Sequence, residues 1–131
     1  MPSSCSYRWR ICPIYETSCR FIEIGDDLKD AVDRKDFTVA RNILLSLTGV
    51  GEKVADCIML FACGDLDSFP VDTHIISIMD REYGENTGQK PSPARVRERV
   101  REVFGMYKGF SGLVQQWIFA YEISNQIKKK D

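Results

Sequence analysis

Lys53 and Asp72 are the two side chains of this sequence whose surroundings suit them to chemistry as well as to folding. Lys53 follows the run Leu47-Thr48-Gly49-Val50-Gly51-Glu52, and Asp72 lies within Phe69-Pro70-Val71-Asp72-Thr73-His74. Two glycines flanking one apolar residue let the backbone turn tightly and bring its N–H groups against another surface. A helix opening straight after the turn adds its positive end, so the segment reads as an anion site able to hold a nucleic-acid phosphate. A lysine in the first turn of that helix opposes the dipole and adds nothing to stability, which points to a role beyond folding. Gly-Val-Gly alone is also consistent with a plain loop, so the elements around it must decide.

Upstream, Phe37, Ala40, Ile43, Leu44 and Leu47 recur at helical spacing behind Asp36, a capping residue. Downstream, Val54, Ala55, Ile58, Met59 and Ala62 form a second apolar stripe that stops at Gly64. Two short amphipathic helices, over 36–47 and 52–63, joined by the glycine turn, make a helix-hairpin-helix spanning about 36–63. Such a unit grips the phosphate backbone without reading bases. The rest of the chain is also helical in pattern. Asp26 or Asp27 caps a short helix through Leu28, Ala31 and Val32, and Asp72 opens a helix carrying Ile75, Ile76, Ile78 and Met79 that closes near Gly84. After a polar loop over 85–91, Ser92-Pro93 opens another helix that Gly105 ends. A loop over 109–112 precedes a last helix lined by Val114, Trp117, Ile118 and Tyr121. No run alternates with period two, so the fold class is all-α.

Leu-Thr-Gly-Val-Gly-Glu-Lys-Val-Ala-Asp-Cys (47–57) and Phe-Pro-Val-Asp-Thr-His (69–74) together resemble the helix-hairpin-helix, Gly/Pro-Asp superfamily of DNA glycosylases. Within it the 8-oxoguanine DNA glycosylase family matches best, because Lys-Val-Ala-Asp-Cys after the hairpin marks that family. The likeness runs from Tyr7 to about Glu122 and is strongest between residues 44 and 83. Thr48 departs from the proline usual at its position. The resemblance implies a single partial glycosylase domain over 1–131, corresponding to the C-terminal portion of a longer one without its N-terminal helices.

That resemblance carries a mechanism. A base inside a duplex hides its glycosidic bond, so the nucleotide must first be flipped into a pocket. An amine attacks the sugar's C1′ only when neutral, a state that burial beside an apolar wall and an opposing helix dipole would favour. By resemblance Lys53 is that nucleophile, forming a Schiff base that permits loss of the 3′ phosphate, and Asp72 stabilises the developing cation while capping its helix. The implied activity is a bifunctional glycosylase and AP lyase acting in base-excision repair on double-stranded DNA containing oxidised guanine.

Other roles are carried over one position at a time. Cys57, one turn beyond Lys53, matches a cysteine lining the base pocket, though a core cysteine has the same pattern. Gln115 and Phe119, also one turn apart, match an amide that reads the base edge and a ring that stacks on it. Gly49, Val50, Gly51 and His74 would contact DNA phosphates, and Tyr7 and Arg8 match a wedge residue and a reader of the orphaned cytosine. The family's hairpin also holds a cation through backbone carbonyls, here those of Leu45, Leu47 and Val50. Two alternatives stay open: a glycosylase for another damaged base, and a non-catalytic DNA-binding remnant.

Composition constrains the rest. With 44% hydrophobic and 28% charged residues the chain fits an ordinary water-exposed domain, with no apolar run long enough for a membrane. A net charge of −1 gives no general attraction to DNA, so placement of Lys and Arg must matter more than their sum. Arg95, Arg97, Arg99 and Arg101, with Glu98 and Glu102 among them, read as a solvated helix face. Lys128-Lys129-Lys130 read as a frayed tail. Five cysteines, an odd number, argue against a disulfide framework. Cys5, Cys12 and Cys19 fall seven apart without completing a ligand set. None follows Cys63, so no iron–sulfur cluster and no other cofactor is expected. The chain is expected to be an intracellular monomer, in the nucleoid or the nucleus according to cell type.

Overall fold

The computed structural model describes residues 8–84 and 90–128, with side chains from 11 to 84 and from 90 to 127. Six α-helices follow one another: α1 (Arg8–Asp33), α2 (Phe37–Leu45), α3 (Glu52–Phe61), α4 (Thr73–Tyr83), α5 (Pro93–Phe104) and α6 (Ser111–Lys128). A single 3₁₀ turn, Gly105–Tyr107, joins the last two. The all-α expectation holds, with no strand among the described residues. None of these helices is long and apolar enough to cross a membrane. Tyr7, Cys5, Lys129 and Lys130, and the side chains of Arg8 and Lys128, lie outside the described residues.

Three helix starts are set locally. Asp36 accepts the Val39 N–H at 3.2 Å, Asp72 the Ile75 N–H at 2.8 Å and Ser92 the Arg95 N–H at 3.3 Å. Each bond satisfies one of the donors that a helix start leaves without an internal partner. Pro93 then occupies the first turn of α5, where its missing N–H costs nothing.

The short helix expected over 26–32 is instead the end of α1, which runs for 26 residues and contains Pro13. Its apolar stripe is legible only where it is buried, at Leu28 and Ala31. Further back Ile14 and Ile22 are 64% and 85% exposed, so no one-sided pattern marks that stretch as helix.

Two apolar cores result, and they share no residue. One joins Leu28 and Ala31 of α1, Ala40 and Leu44 of α2, Leu47, and Ala55 and Met59 of α3. The other joins Val71, the buried isoleucines and Met79 of α4, and Val96, Val100 and Phe104 of α5, with Val114 and Ile118 of α6 packed against it. The helix α3 differs from its expected stripe. Val54 and Ala62 are exposed, whereas Asp56 and Leu60 are buried. One face of α3 meets the first core through Ala55 and Met59, and a second face turns Asp56 and Leu60 toward the other half of the molecule. On α6 the expected lining is also revised: Trp117 and Tyr121 face outward, and Gln115 is buried in their place.

Candidate nucleic-acid interface and active site

The hairpin between α2 and α3 has the geometry that the glycines imply. Gly49 adopts φ +82°, a region closed to most side chains, and Val50 donates its N–H to the Leu47 carbonyl at 3.1 Å. Gly51 is the N-cap of α3 and offers no side-chain acceptor to the first turn. The N–H groups that open α3 therefore point outward uncapped, with the positive end of the helix behind them. Helix α1 buttresses the turn from behind: the Thr17 hydroxyl donates to the Thr48 carbonyl at 2.5 Å, and a Cβ on Gly49 would lie 3.3 Å from Pro13. The hairpin is thus tied down through the backbone of Thr48, whose departure from proline costs no phosphate-facing donor.

Of the carbonyls expected to hold a cation, that of Leu47 already accepts the Val50 N–H. A second lone pair remains on it. Among the described residues no group of three or more His, Cys, Asp or Glu is arranged to hold a metal ion.

Lys53 occupies the second residue of α3 and is exposed. Among the described residues no apolar wall buries it. Cys57, one turn on, is half-buried. Asp72 is half-buried too, and its cap bond to Ile75 fixes the carboxylate at the start of α4.

The base-pocket candidates on α6 converge on the segment that carries Asp72. Gln115 is 3% exposed and donates from Nε2 to the Pro70 carbonyl at 3.3 Å, while its Oε1 accepts from Gln116. Four residues later the Phe119 ring stands edge-on to the exposed ring of His74, with centroids 5.7 Å apart. Two contacts from one face of α6 therefore straddle Asp72, one on either side of it in sequence. Each end of the Gln115 amide has one partner within the protein, which leaves one further N–H and one further lone pair.

Comparison with known proteins bears on this arrangement. The chain is 43% identical over 101 residues to a probable N-glycosylase/DNA lyase of Methanothermobacter thermautotrophicus, covering 76% of this chain and 32% of that protein. It is 36% identical over 85 residues to the N-glycosylase/DNA lyase OGG1 of Arabidopsis thaliana, covering 63% of this chain and 23% of that one. The chain is related to the N-glycosylase/DNA lyases. It spans about a third or less of the length of these curated relatives. No protein-family model and no solved structure matches it.

In this relative of the N-glycosylase/DNA lyases, a group that the sequence did not single out borders the lysine-bearing helix. Arg41 of α2 bonds Asp56 from Nε to Oδ1 at 2.9 Å and Glu52 from Nη2 to Oε2 at 2.5 Å. Arg97 of α5 brings Nη2 to 3.7 Å from Asp56 and Nε to 3.6 Å from Glu52. Arg97 thus leaves the solvated face expected for the α5 arginines. Arg95 and Arg99 keep to it, paired with Glu98 and Glu102 at 2.9 and 2.7 Å. Burial pushes the Asp56 carboxyl up from its ordinary value, against the pull of Arg41 and Arg97. Glu52, on the rim, is pulled down by its bond to Arg41. A cleft of about 440 Å³ opens beside this group, lined by Arg41, Asp56 and Arg97 with Phe69 and Phe104; neither Lys53 nor Asp72 lines it. The only sequence signal was the i, i+4 spacing of Glu52 and Asp56, a like-charge pair that is unfavourable on a helix without a neighbouring cation.

Proposed function

We propose that this chain carries the catalytic portion of a DNA N-glycosylase with AP lyase activity, acting in base-excision repair on 8-oxoguanine in double-stranded DNA. The observation that carries the reading is the placement of Lys53 in the first turn of α3, directly behind an uncapped glycine hairpin. The relationship to N-glycosylase/DNA lyases supports it, as does the grouping of Gln115 and Phe119 around the Asp72 segment.

The phosphate of the flipped nucleotide sits on the N–H groups of Gly51 and the first turn of α3, and His74 takes a neighbouring phosphate. The lone pair of neutral Lys53 attacks C1′ as the C1′–N9 bond breaks and its electrons leave with the base. The Asp72 carboxylate stabilises the positive charge shared between C1′ and the ring oxygen. A proton passes from Nζ to O4′ as C1′–O4′ breaks, which opens the sugar and leaves a protonated imine on Nζ. Loss of a C2′ proton then sends an electron pair toward C3′, expelling the 3′ phosphate, and water releases the lysine. Because Lys53 is exposed in the free chain, docked DNA must supply the dry surroundings that an amine nucleophile requires.

Cys57 and Phe119 would line the base pocket, with Gln115 reading the base through the N–H and lone pair that its internal bonds leave over. No cofactor is required by these steps. The protein acts as a monomer in the compartment that holds its DNA.

The test is borohydride trapping on a duplex with 8-oxoguanine opposite cytosine, comparing the wild type with Lys53→Gln. A covalent adduct that disappears in the variant is expected. No adduct from folded wild-type protein would overturn catalytic competence and favour a DNA-binding remnant. An adduct formed only on duplexes with other lesions would move the substrate to another damaged base.

A further inference from the structure

We propose that Arg41, Glu52, Asp56 and Arg97 form a charged joint that holds the N-terminal end of α3, and with it Lys53, at a fixed orientation to the helix that begins at Asp72. The proposal rests on the reading of Lys53 as nucleophile and adds four positioning residues to it. Lys53 belongs to the half of the molecule built around α1–α3, and Asp72 to the half built around α4–α6. The two apolar cores share no residue, so packing within each core leaves the orientation of one against the other to whatever joins them.

Two kinds of contact reach across from α3. At its C-terminal end the joint is close backbone packing: a Cβ at Gly112 would lie 2.7 Å from Leu60, and the Gly112 N–H donates to the Leu66 carbonyl, in the loop after α3, at 2.8 Å. At its N-terminal end the joint is the charged group. Arg41 grips both acids of α3 from within the first half, and Arg97 reaches the same two acids from α5 in the second. Glu52 immediately precedes Lys53, and Asp56 is one turn further along, so these carboxylates lie on the helix face adjoining that of Lys53 and Cys57.

The energetics favour a geometric role. Asp56 is 5% exposed, and a buried ion pair offers little net stability over apolar residues of the same volume. What it offers is placement: the Arg41 guanidinium bonds the two carboxylates within a narrow range of approach and so fixes α3 on α2, while Arg97 sets the distance from α5 to the same two acids. The two arginines also differ. Arg41 makes hydrogen bonds to both acids, whereas the buried Nε of Arg97 makes none and approaches them by charge alone. Arg97 is therefore the member of the group that draws α5 onto α3, and Arg41 keeps α3 neutralised when that link is cut.

The test compares wild type, Arg97→Gln and Arg97→Lys by two readouts. The first is amide residual dipolar couplings, which report the orientation of α3 against α4 whether or not the protein is active. The second is the single-turnover rate of borohydride trapping on an abasic-site duplex, taken to saturation. In Arg97→Gln the couplings of α3 and α4 are expected to cease fitting one rigid frame while each helix stays folded. The saturated rate should fall about tenfold with half-saturation changed by less than about twofold, the pattern of lost positioning rather than lost binding. Arg97→Lys, which retains the charge, should recover most of that rate. Wild-type couplings in folded Arg97→Gln would overturn the proposal whatever the rate, and so would altered couplings with an unaltered rate. If the wild type itself forms no adduct, the assignment of Lys53 as nucleophile falls, while the couplings still decide whether the joint exists. Should Arg97→Gln not fold, Arg97→Met, which keeps the aliphatic stem and removes the charge, gives the same comparison.

Discussion

The Phe119 ring meets the ring of His74 edge-on at 5.7 Å, one helical turn from the point where Gln115 bonds the Pro70 carbonyl at 3.3 Å. Asp72 lies between these two anchors in sequence. Helix α6 thereby holds the segment carrying the carboxylate, and the residues assigned to base recognition are the same ones that position it.

Gln115→Ala should therefore act on stability first. It strips the buried Pro70 carbonyl of its donor, at a cost of about 1–3 kcal/mol. Urea denaturation measures the loss. Unchanged stability would mean that water replaces the amide and that Gln115 does not hold the segment.

Substitutions at Asp72 separate capping from chemistry. Asparagine keeps an oxygen that can accept the Ile75 N–H, so Asp72→Asn should retain stability, whereas Asp72→Ala should lose about 1 kcal/mol. Both lack the charge, and both should slow Schiff-base formation by about a hundredfold. Thermal melting paired with single-turnover trapping distinguishes the two contributions. A fully active Asp72→Asn would confine Asp72 to its cap.

The two hairpin glycines should fail in different ways. Gly49→Ala puts a side chain at φ +82° and its Cβ 3.3 Å from Pro13, so it should destabilise the free protein by about 1 kcal/mol or more. Gly51 has an ordinary φ of −93° and nothing within 4 Å of an added Cβ. Gly51→Ala should fold nearly as well as the wild type but bind duplex DNA more weakly, because its methyl group would stand where the proposed hairpin contact brings a phosphate. Fluorescence anisotropy with a labelled duplex reads the affinity. Equal binding by Gly51→Ala would remove the hairpin from the DNA interface.

Acid should loosen the start of α3. The bond to Arg41 holds the Glu52 carboxyl below its ordinary value. A depressed folded pKa contributes stability above the unfolded value, and that contribution is lost as pH falls through the folded one. The stability difference between wild type and Glu52→Gln should thus be constant near neutrality and vanish on acidification below about pH 4. A difference independent of pH would mean that Arg41 does not depend on the Glu52 charge.

Much of this protein was legible in its sequence because much of it is local. Asp36, Asp72 and Ser92 each accept an N–H three residues ahead, and Gly49 needs only its own φ, so type and position sufficed to place three helix starts and the hairpin. Lys53 followed from the hairpin by adjacency. What escaped depends on partners far along the chain. Arg41 and Asp56 are 15 residues apart, and Gln115 and Pro70 are 45 apart. Hydrophobic periodicity finds the apolar side of a helix and passes over a carboxylate or an amide that becomes buried when another helix brings it a partner. It likewise passed over the first half of α1, which presents no buried stripe. The sequence alone determined the turn, the caps and where Lys53 and Asp72 stand on them; the tertiary structure alone decided which polar groups are buried, because their burial is tolerable only once distant residues arrive to satisfy them.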